Sequence, residues 1–457
     1  MKKQVKRYIP QLINNFLTNK THIFIKWNKD LTSTIYNLDS EGLIIICDTI
    51  LRVSGSRDIK ENNFCEIQTE CYHKILHNDY KLYLDYLIEE GIVISDNFYI
   101  PGEKSISYKI NEDFIDRLCS VDIDNKLFNK RTIKAVLSTD KLKISSKHYN
   151  NLKGDLRIDF DKAIEYLYYC YDNNVPDHKG RVLNKYTRTL IEHKLLQIND
   201  GQLWMNRSSS NGRINSNLTT LNGNFKQFIL GYDISMDIVA SQPTLLNVLF
   251  DMVKDIKGEA SISSSTLLSY EYKMLSNSLK KPEVVRVIEK LKSVKLPSEK
   301  EQKEWRELCE KGDLYEYFQR EFFNLIGNKL TRNEVKTIMM TVLYSTNYQS
   351  NEYKRMFSSI FPTIYKFITD IKSVKGINRS HRILPLLLQG IESFIWVESI
   401  LPKLDKMNIK YHFIHDSVII KNIDKDRAEL TIMEQFYLNN IRVAISTEDL
   451  KTGNKIK

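Results

Sequence analysis

Two acids far apart in the chain stand in comparable surroundings. Asp416 follows the run Tyr411-His-Phe-Ile-His415 and precedes Ser417-Val-Ile-Ile420. Apolar and β-branched residues on both sides predict a β-hairpin with the polar triplet His415-Asp416-Ser417 at its tip. Upstream, residues 228–238 read as a second strand carrying Asp233 and Asp237. One carboxylate near another is unfavourable unless a cation lies between them. Two carboxylates on adjacent strand ends can hold the metal pair that drives in-line phosphoryl transfer.

Cations and an aromatic stand on a separate stretch. Arg332, Lys336, Met340 and Tyr344 are spaced four apart. At ~100° per residue they drift slowly around one helical face over ~18 Å. Val335, Ile338, Met339 and Val342 form an apolar stripe at helical spacing. Two cations one turn apart repel mildly. A triphosphate along that face would reverse the repulsion, and Tyr344 could stack under a base. Gly212-Arg213 closes the polar loop Ser208-Ser-Ser-Asn211. Glycine there permits close backbone approach to a phosphate, and the guanidinium offers a forked contact. Gln389 and Gly390 interrupt the apolar run 384–401. The Gln389 amide either bonds to backbone or reaches a base edge.

Composition bounds the partners. The chain has 457 residues, 42% hydrophobic, with a net charge of +10. That excludes wholesale disorder and favours a polyanionic partner. The six cysteines form no CxxC pair. Cys65, Cys71, His73 and His77 cluster loosely, with a spacing that fits no standard zinc site. Free thiols imply a reducing compartment. No signal peptide and no membrane-length apolar run are read, so a cytoplasmic protein without membrane partner is expected.

The positioning elements follow in order. Residues 80–90 read as a helix ending at Gly91, then 92–94 and 98–100 as a hairpin, then 106–110 as a returning strand. Helix plus hairpin suggests a winged-helix-like unit over about 76–112, with Lys104 and Lys109 on the wing. Residues 111–150 read as a basic linker. Residues 195–198 and 202–205 read as a hairpin about Asn199-Asp-Gly201. Residues 251–330 read as a lysine-rich helical insertion with a Ser-rich patch at 261–265. Within it, Asp313 caps a helix beginning at Leu314. Residues 424–439 read as a last helix and 441–445 as a last strand.

The ordered set of Gly-Arg, acidic strand, Arg-x3-Lys-x7-Tyr helix, Gln-Gly helix and His-Asp hairpin resembles family A DNA polymerases and bacteriophage-type single-subunit RNA polymerases. The resemblance covers roughly residues 205 to 440. It implies an α+β right-hand fold, with an antiparallel palm sheet and helical fingers and thumb, behind the small N-terminal domain. The implied divisions are 1–150 N-terminal, 151–225 thumb or connector, 226–250 palm, 251–380 fingers and insertion, and 381–457 palm again. By resemblance, Asp416 is the second metal aspartate and His415 its neighbour near the primer or product end. Asp237 is preferred over Asp233 as the first metal aspartate, with Ile238 beside it in the metal set. Arg332 and Lys336 are the implied phosphate pair, Lys336 also catalytic. Tyr344, Met340 and Gln242 would line the nucleotide. Arg213 and Gln389 would touch nucleic acid. Asp313-Leu-Tyr315 is similar to a short motif preceding the fingers helix.

The resemblance implies template-directed nucleotidyl transfer with two Mg²⁺, Mn²⁺ substituting, on a DNA template with nucleoside triphosphates, in a monomer. Gln242 occupies the sugar-selecting position, where the DNA polymerases have Glu and the RNA polymerases Gly. Ser345 stands where Gly follows the tyrosine. Met340 and Ser417 resemble the RNA polymerases; Gly-Arg-x-x-Ser and Leu-Gln-Gly resemble the DNA polymerases. The reading leans to ribonucleotides. The alternatives are a DNA polymerase without proofreading, a primase or terminal transferase, and a non-catalytic winged-helix initiator with a degenerate palm.

Overall fold

The computed structural model describes residues 5–19, 21–27, 32–54, 63–66, 69–100, 105–137, 155–177, 180–258, 265–348 and 351–456. Lys104, the turn 101–104 and most of the Ser-rich patch, 261–264, lie outside them. The chain is mixed α/β and divides into two compact units. One comprises residues 1–145, 152–205 and 216–230; the other comprises 146–151, 206–215 and 231–457.

The first unit is built on helix Ser40–Ser54. Residues 43–51 are buried throughout. A helix that is apolar all round must be enclosed, and strand Lys6–Pro10 and helices Tyr80–Glu89 and Lys185–Asn199 pack on it. Its one carboxylate in that stretch, Asp48, meets Arg7 at 2.7 Å, His193 at 2.8 Å and Arg52 at 3.1 Å. A charge taken from water needs such partners.

Several sequence expectations change here. Residues 98–100 are not the partner of 92–94. Val93–Ser95 pairs instead with Ser107–Ile110, which also pairs with Cys65–Glu66. The Asp96 carboxylate accepts from the backbone N–H of Phe98 and of Ser107, so it turns the chain away before the ladder can extend. Lys109 lays its ammonium over the Phe64 ring, 4.8 Å from the centroid. Residues 111–150 are not all linker, since Leu118–Asp122 pairs with Lys6–Pro10 and Lys126–Leu137 is a helix. The hairpin expected about Asn199-Asp-Gly201 is the end of helix Lys185–Asn199. A capping box of Asn184 and Thr187 starts that helix, and buried Leu195 and Ile198 continue its stripe.

The second unit carries a five-stranded antiparallel sheet. Its strands are β1 Ile234–Ile238, β2 Tyr411–Ile414, β3 Ser417–Ile420, β4 Ile445–Asp449 and β5 Lys455–Ile456. The spatial order is β2-β3-β1-β4-β5. The last long strand thus begins at Ile445, where the expected one would have ended; residues 441–444 form no strand. The helices that matter are α1 Ser241–Ile256, α2 Leu314–Ile326, α3 Arg332–Tyr344, α4 Glu352–Ile360, α5 Pro362–Ile371 and α6 Ile383–Ser393. β2 and β3 are buried on both faces. Around β1 and β4 one face is open: Asp237 and Glu448 are exposed while Met236 and Thr447 are buried.

α6 runs on through a π-helical stretch, Phe394–Ile400, into a last helical turn. The whole helix Ser380–Lys406 is long and apolar enough to cross a membrane, with mean hydropathy 1.4 over its most apolar window. This corrects the expectation that no run reaches that length. Within the fold, 67% of that window is buried, as in a core helix. Leu387, Leu388, Ile391 and Trp396 are fully enclosed.

Candidate active site

The site begins where β1 becomes α1. Only Val239 and Ala240 separate the strand from the helix, and Ala240 takes a left-handed conformation with φ 52°. An L-residue with a side chain is strained there. The turn sends the chain sharply from the strand end carrying Asp237 into a helix whose first residues are buried.

Register supplies the second acid. Asp237 lies directly opposite Ser417, and β2 and β3 pair Ile414 with Ser417 across a two-residue turn. That turn is His415-Asp416, so Asp416 is the residue beside Asp237's partner. His415 also has positive φ, 53°. Glycine is the usual residue at the first position of such a turn. Two strained, non-glycine positions thus flank the two acids.

The acids feel each other. The Asp237 carboxyl is pushed up to about 8, first by crowding of the surrounding protein, then by the Asp416 charge. Lys336 pulls in the opposite direction, Glu448 adds to the rise, and the Ile238 N–H bonds to the carboxylate. Water still reaches the Asp237 side chain. Asp233 sits at the other end of β1, accepting from the Asn422 N–H at 3.0 Å. It lies four positions before Asp237, about 13 Å along extended chain. The Ile238 side chain is buried in the core, so only its backbone faces the acids.

α3 provides the cation. Thr331 and Glu334 form a capping box at its start, and Val335, Ile338, Met339 and Val342 bury the expected stripe. Lys336 is exposed, within electrostatic reach of Asp237. Arg332 is differently engaged. Its Nε donates to Glu316 at 2.9 Å, and its guanidinium lies 4.9 Å from the Tyr315 ring centroid. Tyr315 in turn feels both Asp237 and Asp416, which help raise its hydroxyl above the usual range after burial. Met340 is half-buried on the same helix.

A buried polar chain runs behind the acids. Tyr344 donates to the Gln242 amide oxygen at 2.7 Å. The Gln242 Nε2 donates to Glu392, and Arg213 grips Glu392 through two bonds at 2.7 and 2.8 Å. The forked contact expected for a phosphate is therefore made to a carboxylate. Burial lifts the Glu392 carboxyl to about 7, with Arg213 opposing and Asp416 adding to the rise. Gln389 accepts from Asn211 at 2.8 Å and also bonds the Tyr344 hydroxyl. Gly212 has φ 70°, and a Cβ there would overlap the Tyr270 hydroxyl and Ser393. A Cβ on Gly390 would overlap the Glu271 carboxyl. Both motif glycines thus permit close packing against protein.

Glu392, Glu448 and Glu316 were not singled out in the sequence. Glu392 lies three residues after Gln389, on the same helical face, which is a usable signal. Glu448 faces Ser235 across β1 and β4, a pairing with no short-range trace. Among the described residues, no group of three His, Cys, Asp or Glu is placed to hold a metal. The candidate donor set is two carboxylates. Hard oxygen donors that repel each other suit a hard divalent cation that keeps several waters, as Mg²⁺ does.

No family model matches the sequence, and no curated protein matches it. Among solved structures, the POL domain of Pol1 from M. smegmatis, in complex with DNA primer-template and dNTP, is similar over 71% of this chain and 74% of that chain. The identity is 9% and the TM-score 0.32.

Proposed function

We propose that the second unit is a template-directed nucleic acid polymerase. One observation carries the reading: the β1–β3 register sets Asp237 beside the Asp416 turn, with Lys336 of α3 within electrostatic reach of Asp237. Asp237 and Asp416 would hold the divalent ions. When bound, those ions neutralise phosphate charge and lower the pKa of an attacking hydroxyl. Lys336 then meets charge on the triphosphate and supplies a proton to the departing pyrophosphate. Arg332 exchanges its contact with Glu316 for phosphate oxygens. Tyr344 and Met340 line the nucleotide's base side. Arg213, Gln389 and His415 border the nucleic acid.

Met340 and Ser417 favour ribonucleoside triphosphates. The pinned Gln242 favours the alternative, a DNA polymerase without proofreading. It has the length of a glutamate, is buried, and is held at both ends of its amide. A side chain so fixed crowds a 2′-hydroxyl.

Extension of a labelled primer on a DNA template tests the proposal, with NTPs and dNTPs in separate reactions, with and without Mg²⁺. The wild type should extend with one set and only with metal. Asp416→Asn should lower the rate by at least about 10³-fold, the scale of removing a principal electrostatic group. Wild-type extension by Asp416→Asn would remove the paired acids from the reaction.

A further inference from the structure

The last long helix, α7 Lys425–Tyr437, is apolar on two separate faces. Ala428, Ile432 and Phe436 are buried where the helix packs on the π-helical stretch Phe394–Ile400, and Phe436 meets Trp396 edge to face. The outward face carries Leu430, Met433 and Tyr437, with Ile423 just before the helix and Leu438 just after it. Leu430 is 69% exposed, Tyr437 63% and Ile423 87%. Soluble proteins seldom leave so many large apolar side chains together on one surface. Their spacing is regular. Positions 423, 426, 430, 433 and 437 recur at steps of three and four, the seam along which one helix packs on another. Asp426 is the polar member of the seam.

The charges beside the seam decide what fits it. Residues 423–438 carry four acids against two bases, the reverse of the whole chain's balance. Such a rim repels a polyanion. It complements its own reversed copy instead. Arg427 and Glu434 lie seven apart on one flank of the seam, and both are exposed. An antiparallel copy centred between Leu430 and Met433 sets Leu430 on Met433 of the second copy. It also sets Asp426 on Tyr437 of the second copy, whose hydroxyl donates to the carboxylate. Arg427 then stands about 3 Å along the axis from Glu434 of the second copy, within reach of both side chains. The two-fold repeats each contact. A parallel pair would bring Glu429 beside Glu434 of the second copy, acid on acid. Within one copy, Arg427 pairs with Asp424 at 3.1 Å and Lys403 with Glu434 at 3.1 Å. Exposed pairs of this kind are worth little, so neither ties up the face.

We propose that α7 joins two copies of this chain as an antiparallel two-fold pair through Leu430, Met433 and Tyr437. A helix pair of this length, ~20 Å, buries less than a standard interface. The association is therefore weak and depends on protein concentration. No residue of the seam belongs to the paired-acid cleft, so the dimer stands apart from the polymerase reading.

Sedimentation velocity of the full chain tests it, with reductant present, over about 1 to 100 µM, the range suited to a small interface. The weight-average sedimentation coefficient of the wild type should climb toward that of a dimer. Leu430→Glu and Tyr437→Glu, both at exposed positions and checked by circular dichroism, should each weaken association at least about tenfold. Arg427→Glu should weaken it at least about threefold, and Arg427→Glu combined with Glu434→Arg should restore it. Fluorescence anisotropy of labelled primed DNA, measured on the same proteins, should be unchanged by Leu430→Glu. A wild type that stays monomeric throughout, or a dimer that Leu430→Glu leaves intact, would overturn the proposal. A dimer that the double exchange fails to restore would overturn the antiparallel register. Loss of DNA affinity in Leu430→Glu without any dimer would assign the face to nucleic acid and overturn the proposal as well. None of these results depends on whether the wild type extends a primer.

Discussion

At the scale of single residues, the Asp237 carboxyl is where fold and chemistry conflict. Its pKa rises from the ordinary carboxylate value to about 8. The folded protein therefore binds more protons than the unfolded chain between about pH 4 and pH 8. The stability this group contributes is fully present below about pH 4 and is lost as pH rises through 8. Asp237→Asn should leave the melting temperature near pH 4 unchanged and raise it near pH 8, while abolishing extension. Thermal melts at both pH values check the sign, and a lower melting temperature at pH 8 would contradict it. Such a trade of stability against activity is usual where a site gathers like charges. Arg213 is the opposite case. Glu392 is 1% exposed and relies on that guanidinium. Arg213→Ala should cost about 1–3 kcal/mol, the scale of a buried polar group that loses its partner, because Glu392 takes up a proton once the guanidinium is gone; denaturant unfolding measures it.

Among elements, the β1–α1 turn and the β2–β3 hairpin set the acids in place, and both do so under strain. Ala240→Gly relieves the left-handed conformation while adding freedom to the unfolded chain, so a gain of up to about 1 kcal/mol is expected. Ala240→Val should lose at least about 1 kcal/mol, since β-branching makes positive φ worse. Shifts of the denaturation midpoint in opposite directions would bear this out. These two elements and α3 were legible in the sequence. Their apolar periods are local, and Asp416, Asp237 and the cationic face could be read from them. Other elements were not. Asn199-Asp-Gly201 has turn chemistry, yet the Asn184 capping box and a fifteen-residue stripe outweigh it. The pairing of Lys6 with Asp122 leaves no local mark, so residues 111–150 read as linker. Arg213 was legible as a forked donor, but its partner Glu392 is a long-range contact. Spacing alone could not choose between a carboxylate and a phosphate.

For the whole molecule, the net charge of +10 predicts nucleic acid binding that weakens steeply with salt. Asp416→Asn should keep both the affinity for primed DNA and its salt slope, because the acid repels phosphate rather than binding it. A variant that lost binding would place Asp416 in the fold or the DNA interface instead of the reaction. Nucleotidyl transfer by this chain requires Asp237 and Asp416 to act together on divalent cations. Mn²⁺ binding followed by electron paramagnetic resonance reads this without substrate or turnover. Wild-type protein should take up Mn²⁺, and Asp237→Asn and Asp416→Asn should each lose that uptake while keeping the native circular dichroism. Undiminished Mn²⁺ binding in both folded variants would contradict the shared site.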